Sequence, residues 1–431
     1  MAKIYSNVDV LTASIERIRF IFSEFEVVCV SFSGGKDSSV TVQLFDIVAR
    51  EIGRKFDVMY IDLEANYKKS IDHVSEIKTL KTIDNFYHIC LPFSLSNASS
   101  IFQPSFKCWD KSDKEKWVRD MPDNCINEDN NIFNDIFKYG MEFEEFVPRF
   151  PKWLMKKHKV DKVAIIVGIR ADESLNRFRA VVGSKSENMY KDKNYSTKIS
   201  SGVYNFYPIY DYKTQDIWGC VFNLGLMYNK IYDDMTANGV GIHQQRVCYP
   251  YGEDQRVSLN QYAILEPEIW DKIMNRVSGV NFGSLYCKTK LLGHNGTSKP
   301  KHMNWEQYAV FLLESLAIYS PDLTRHYIMK INRYFDYYDE QYNVGLSDIK
   351  QEILKDFVIK EYGDKTRGDF ISWKKIARCI EKNDFTLRGC SYGITIADKE
   401  IAKRLHEKWG ELLGLEEYNT KEFKKLKEEI L

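Results

Sequence analysis

Apolar residues recur at helical spacing over residues 7–25 (NVDVLTASIERIRFIFSEF), and then the pattern changes. Residues 27–32 (VVCVSF) form a short continuous apolar run rich in β-branched side chains, which predicts a buried strand. Helical spacing returns in VTVQLFDIVARE (40–51). The alternation then repeats. KFDVMYIDL (55–63) predicts a second strand, residues 68–80 a helix and NFYHICLPF (85–93) a third strand. Residues 141–158 predict another helix, DKVAIIVG (161–168) a strand buried on both faces, and GVYNFYPIY (202–210) the last strand of the set. Residues 97–125 are irregular and carry Trp and Cys. From about residue 255 the pattern is helical, in ILEPEIWDKIMNRV (264–277), NWEQYAVFLLESLAIY (304–319), LTRHYIMKINRYFDYY (323–338) and DFISWKKIARCIEKN (369–383). Strands alternating with helices predict an α/β fold, a doubly wound and mostly parallel sheet. We therefore expect residues 1–254 to form the α/β domain and residues 255–431 a helical C-terminal domain.

Composition agrees with this reading. A chain of 431 residues exceeds what one hydrophobic core usually fills, so two domains are expected. The 44% hydrophobic and 28% charged residues suit a globular protein in water. Basic and acidic residues balance at 61 each, so net charge does not indicate a nucleic-acid partner. No apolar run is long enough to span a bilayer, and MAKIYSNVDV has no signal-like apolar stretch, so no membrane partner is expected. The nine cysteines are scattered with no C-x-x-C, which predicts reduced thiols in the cytoplasm and no zinc ribbon or iron–sulfur cluster motif.

The chemistry concentrates after the first strand, in SFSGGKDSS (31–39). Gly34 and Gly35 let the backbone approach a ligand without a Cβ in the way. The N–H groups that open the next helix point at an anion, and the helix dipole adds to the attraction. Lys36 adds a positive charge, and Ser33, Ser38 and Ser39 add hydroxyl donors. The glycine spacing differs from that of the G-x-x-x-x-G-K-[ST] phosphate loop.

Two further segments lie downstream. GIRADESLNRFR (168–179) starts where the VAIIVG strand ends. Arg170 at that turn can hold a phosphate through two hydrogen bonds. On a continuous helix Glu173 and Arg177 share a face, either as part of the site or as a solvated pair. Arg170 and Arg177 are spaced for the same face two turns apart. In YPIYDYKTQDIW (207–218), Thr214 is placed to cap a helix whose Ile217 and Trp218 turn inward. Ser33, Asp62 and Gly168 all fall at predicted carboxyl ends of strands, where ligands bind in such sheets.

The order S-G-G-K-D-S resembles the PP-loop of ATP pyrophosphatases, the adenine nucleotide α-hydrolase fold. With GIRADES and YPIYDYKTQDIW in the same order, residues 20–230 resemble the phosphoadenosine-phosphosulfate (PAPS) reductase branch of that superfamily. IDLEANY (61–67), FQPSFKCWD (102–110), KWVRDMP (116–122) and WKKIARCIEKNDF (373–385) extend the likeness to nearly the whole chain. Together they resemble a long, poorly characterised bacterial subfamily that includes immunoglobulin-binding-regulator-A-like proteins.

The resemblance implies ATP, or PAPS, as the adenine nucleotide, with cleavage at the α-phosphate and AMP passed to an unknown acceptor. Lys36, Asp37, Arg170, Arg177 and Arg246 would carry the chemistry. Ser33, Gly34, Gly35, Ser38, Ser39, Asp62, Gly168 and Glu173 would complete the nucleotide site. Mg²⁺ is expected at Asp37, with Asp62 as a second candidate. A ParB/sulfiredoxin-like protein is the implied protein partner.

The chain departs from the family at one point. PAPS reductases attack sulfur with a Cys in a C-terminal E-C-G-[IL]-H segment, and none occurs here. GIHQQRVCYPYGEDQR (241–256) offers Cys248 instead, with Arg246 and His243 as cationic neighbours. His243, Gln244, Gln245 and Arg246 are expected to face the nucleotide. Two alternatives to adenylation stay open at this point. One is an enzyme of sulfonucleotide chemistry, and the other a nucleotide-sensing regulator acting with the ParB-like partner on DNA.

Overall fold

The computed structural model describes residues 7–97, 103, 105–173, 177–178, 181, 188–252, 259–280, 299–300, 302–342, 373–382, 384, 387 and 390. The chain divides into two compact units. The first comprises residues 1–96, 105–255 and 261–276, and the second residues 97–104, 256–260 and 277–431.

The first unit is built on a six-stranded sheet. Its strands are β1 (Val27–Phe32), β2 (Phe56–Ile61), β3 (Ile83–Ile89), β6 (Val163–Val167), β7 (Ser196–Ser200) and β8 (Val203–Phe206), in the order β3-β2-β1-β6-β8-β7. Every pairing is parallel except β7 with β8. Val30 of β1 pairs with Val58 on one side and Ile166 on the other. β1 is thus central, and its continuous apolar run meets helices on both faces. Helix α1 (Val10–Glu24) starts at Asp9, whose carboxylate accepts the Thr12 N–H at 3.0 Å. Helix α2 (Lys36–Ile52) follows β1 directly and ends at Gly53 in the left-handed region, φ 65°. Helix α3 (Lys68–Ile77) joins β2 to β3. Ile18, Phe22, Val40, Leu44, Phe45, Val58 and Ile166 are all buried in the resulting core.

All five predicted strands are present, β7 is added at the sheet edge, and three details of the expected elements differ. The last predicted strand stops at Phe206, because YPIYDY turns away: Pro208 has no N–H to give a ladder. Residues 141–158 hold two helical pieces, Phe143–Phe146 and Phe150–His158, divided at Pro148. The helix Thr214–Leu224 is not capped by Thr214. Asp216 caps it, accepting the Lys213 N–H at 2.7 Å, while Thr214 lies inside the first turn. Two short strands, β4 (Ser94–Ser96) and β5 (Ser105–Lys107), form a separate antiparallel pair.

The sheet sets one edge for chemistry. Ser33, Asp62 and Gly168 each follow the last residue of a parallel strand, β1, β2 and β6 respectively. Gly168 also allows close packing. A Cβ there would lie 2.6 Å from Thr41 Oγ1 and 3.2–3.3 Å from the backbone of Ser38 and Asp37. Only glycine lets β6 run in against the first turn of α2.

The second unit is helical. The helix Trp305–Tyr319 opens with a reciprocal cap between Asn304 and Gln307. It packs with Pro321–Tyr342 and Trp373–Glu381 around Tyr327, Ile376, Ala377, Cys379 and Leu387. Among the described residues no helix is long and apolar enough to cross a membrane.

Candidate functional site

The loop between β1 and α2 turns at Gly34, φ 75°, and enters the helix at Gly35, an N-cap with no side chain to cap it. The first backbone bond runs from Ser39 N–H to the Gly35 carbonyl at 2.9 Å, so the amides ahead of it point out of the helix end. The hydroxyls of Ser38 and Ser39 donate to the same carbonyl at 3.0 and 2.8 Å. Both side chains therefore brace the loop instead of facing outward. Ser38 Oγ also accepts the Ser33 N–H at 3.2 Å. Asn229, fully buried, donates to the Gly34 carbonyl at 3.0 Å and fixes the turn from outside.

Two cations stand at this helix end. Lys36 is 8% exposed, with Nζ 3.4 Å from Asp37 Oδ2. Arg170 is 3% exposed, and its Nε donates to Asp37 Oδ1. The Asp37 carboxylate is thus held between two buried cations, which leaves the helix end with excess positive charge. The site fits an anion. It does not fit a resident Mg²⁺, because its carboxylate is already neutralised and such an ion would meet two positive charges.

Arg170 and Arg177 do not share a helix face. Residues 171–173 form a turn, with the Ala171 N–H donating to the Tyr210 carbonyl at 2.8 Å. Arg170 lies before that turn, and residues 174–176 fall outside the described residues. Arg177 instead pairs with Glu173 at 2.6 Å, and Arg246 approaches the other Glu173 oxygen at 3.8 Å. Of the segment expected to face the nucleotide, Gln245 is buried and bonded to Thr236 Oγ1 at 2.7 Å, a bracing role. His243 and Gln244 are exposed, and His243 Nδ1 lies 3.4 Å from Thr214 Oγ1.

Beside the loop, the ends of β1 and β2 open into a cleft of about 240 Å³. Its walls include Ser33, Tyr60, Asn66, Val247, Cys248 and Tyr249. The half-buried Cys248 thus lines the same cleft as Ser33.

Asp62 has a different role from the one expected. It is fully buried, and Arg119 binds both its carboxylate oxygens. His88 Nε2 lies 2.9 Å away, and the Glu64 N–H donates to it at 3.0 Å. Burial pushes its pKa up, but Arg119 and His88 outweigh that and hold it at about 2. Asp62, His88 and Cys90 bring ligand atoms within 4.8 Å of one another. However, His88 Nδ1 faces Lys78 Nζ at 2.8 Å, so Nε2 carries the proton toward Asp62 and neither nitrogen is left for a metal. Glu64, next in the loop, sits in the left-handed region at φ 71°. Its buried carboxylate receives Arg276 at 2.7 and 3.0 Å and the N–H groups of Trp109 and Val118.

One residue of the site was not legible in the sequence. Tyr232, on the helix Ile231–Ala237, is buried and accepts the Lys36 N–H at 3.0 Å. Burial pushes its phenol well up, and Asp37, Glu173 and Cys248 all act on it electrostatically. A Cβ on Gly35 would lie 3.5 Å from the Tyr232 hydroxyl and 3.8 Å from Val247, so the loop meets this ring and the Cys248 segment together. IYDDMT carries no motif, and no local signal marks Tyr232.

Comparison with known proteins bears on the family. Residues 239–368 match a domain of unknown function (DUF3440). The uncharacterized protein YbdN of Escherichia coli (strain K12) is 34% identical over 419 residues, covering 95% of this chain and 98% of YbdN. Among solved structures, the PAPS reductase of Candida auris aligns at 13% identity and a TM-score of 0.28, over 51% of this chain and 84% of that one. The U34-tRNA thiolase NcsA of Methanococcus maripaludis aligns at 13% identity and 0.31, over 68% and 85% respectively. At those TM-scores the structural likeness carries no functional inference, and the family rests on sequence. Residues 27–250, which contain the loop, Arg170, Tyr232 and Cys248, match the phosphoadenosine phosphosulfate reductase domain, and the chain belongs to that family.

Proposed function

We propose that this protein binds an adenine nucleotide with its phosphates at the start of α2, and that it cleaves ATP at the α-phosphate. An acceptor oxygen would attack the α-phosphorus, the bond to the bridging oxygen would break, and pyrophosphate would leave. The observation that carries this reading is the pair of buried cations, Lys36 and Arg170, at a helix N-terminus with no side-chain cap. Buried charges need partners, and one carboxylate serves two of them here. A phosphate supplies the missing negative charge. In a water-poor site the same cations stabilise charge on departing pyrophosphate. The adjoining cleft, with Tyr60 and Asn66 in its wall, opens next to that helix end and offers a place for the nucleoside. All the residues proposed for the site lie within 1–254. Because Asp37 is already neutralised, Mg²⁺ would enter only together with the nucleotide, and no step here depends on it.

Cys248 in the cleft wall supports a second reading, sulfonucleotide chemistry at the same site. Incubation with ATP labelled at the α- or γ-phosphate tests the first. The expected products are pyrophosphate, carrying the γ-label, and AMP, carrying the α-label, with water as the acceptor oxygen in the absence of another. ADP with phosphate, or no measurable ATP binding by calorimetry, would overturn it. Lys36→Ala should weaken ATP binding by about 1.5–3 kcal/mol, the range for a charge-assisted contact.

A further inference from the structure

Tyr232 does more than close a helix end. Its hydroxyl oxygen is occupied by the Lys36 N–H at 3.0 Å, so its own proton must point elsewhere. The ring cannot easily swing away. It is 2% exposed, Trp218 meets it edge-on at 5.6 Å, and Lys36 Nζ lies 5.5 Å from its centroid. The hydroxyl also hangs over the loop, 3.5 Å from where a Cβ on Gly35 would be. Burial keeps the phenol protonated across the working pH range. Beside the buried Lys36, a fixed, permanently protonated hydroxyl whose oxygen already accepts the loop amide has its own proton free to donate to an anion.

We propose that the Tyr232 hydroxyl donates to a non-bridging oxygen of the pyrophosphate portion of the bound nucleotide, as a binding residue beside Lys36 and Arg170. This rests on the nucleotide reading above and adds to it a specific donor from outside the loop. A hydroxyl that accepts from the loop amide and donates to the ligand couples the two. The phosphate is then held by a neutral donor as well as by charge, and the loop amide is oriented by the same group.

The alternative is a mere cap. If the hydroxyl only satisfies the Lys36 N–H, removing it frees that amide for the phosphate, and binding stays level or tightens. Tyr232→Phe separates the two by the sign of the change. Affinities for ATP, inorganic pyrophosphate and adenosine are measured by calorimetry on the full chain, with thermal unfolding as a check on the fold. The proposal expects Tyr232→Phe to lose at least tenfold in ATP and pyrophosphate affinity, with adenosine unchanged. Unchanged or tighter pyrophosphate binding overturns it, as does an equal loss for adenosine, which would mean general damage to the site. If Tyr232→Phe does not fold, 3-fluorotyrosine at position 232 of the otherwise unaltered chain gives the answer. Its ¹⁹F resonance should shift on adding pyrophosphate, and a resonance that stays in place overturns the assignment. A native chain that binds neither ATP nor pyrophosphate refutes the nucleotide reading itself. Native binding with an indifferent Tyr232→Phe refutes only the role of Tyr232.

Discussion

Replacing Arg170 with methionine removes one of the two cations that hold Asp37, and the effect on folding can be separated from the effect on binding. The Arg170 and Asp37 side chains are 4% and 15% exposed, so the pair is largely out of water. Breaking a buried pair from one side costs about 3–5 kcal/mol, because the remaining charge is left without its partner. Asp37 keeps Lys36 at 3.4 Å and lies in the first turn of α2, where the helix dipole favours a negative charge. The low end, about 3 kcal/mol, is therefore expected. For a unit of this size that lowers the melting temperature by roughly 6–12 °C. Adding Asp37→Asn removes the stranded charge and should restore most of the loss. Pyrophosphate binding behaves differently. Arg170→Met should lose about 1.5–3 kcal/mol of affinity, roughly ten- to 150-fold, and the double variant should not regain it. Thermal unfolding by circular dichroism and calorimetry with pyrophosphate give the two readouts. A double variant that regains stability and also binds like the native chain would refute the placement of Arg170 at the anion.

Three further outcomes are expected. Gly168→Ala drives a Cβ to within 2.6 Å of Thr41 Oγ1 and against the α2 backbone, so it should cost about 1–3 kcal/mol and weaken ATP binding; a native-like melting curve with native affinity would contradict this. Asp62, depressed to about 2, contributes stability above the unfolded carboxylate range that is lost as pH falls toward 2. His88, lowered by burial, adds a loss that begins as pH falls through its unfolded value near 6.5, and Asp62→Asn should flatten the lower part of the melting-temperature profile. Cys248→Ser should leave ATP turnover nearly intact under the adenylation reading, and loss of turnover with a trapped Cys248 adduct would favour the sulfonucleotide reading.

The fold was legible because five parallel strands are short apolar runs, and because SGGKDS fixes a strand, a turn and a helix in sequence. β7 was missed for the opposite reason. STKIS is an edge strand with an exposed centre and no apolar pattern to betray it. Within the site, the loop and Arg170 could be read, since each sits at a strand end next to its own motif. The partnerships could not. Arg170 meets Asp37 across 133 residues and Tyr232 meets Lys36 across 196, and neither separation leaves a local trace. Asp62 was misassigned because a carboxylate at a strand end looks like a ligand until Arg119, from the irregular Trp- and Cys-bearing stretch, is seen to occupy it.

The ion pair between Glu64 and Arg276 also bears on how members of this family can recombine. Glu64 is fully buried, 212 residues away from the arginine that neutralises it, and the same guanidinium also donates to the Lys107 carbonyl at 2.6 Å. A chimaera joined between residues 64 and 276 therefore takes the counter-charge of Glu64 from the other parent. Unless that parent brings an arginine at the matching place, the hybrid encloses a lone carboxylate, a loss of about 3–5 kcal/mol against a typical total stability of about 5–15 kcal/mol. Crossover points that yield folded hybrids should accordingly fall before Glu64 or after Arg276.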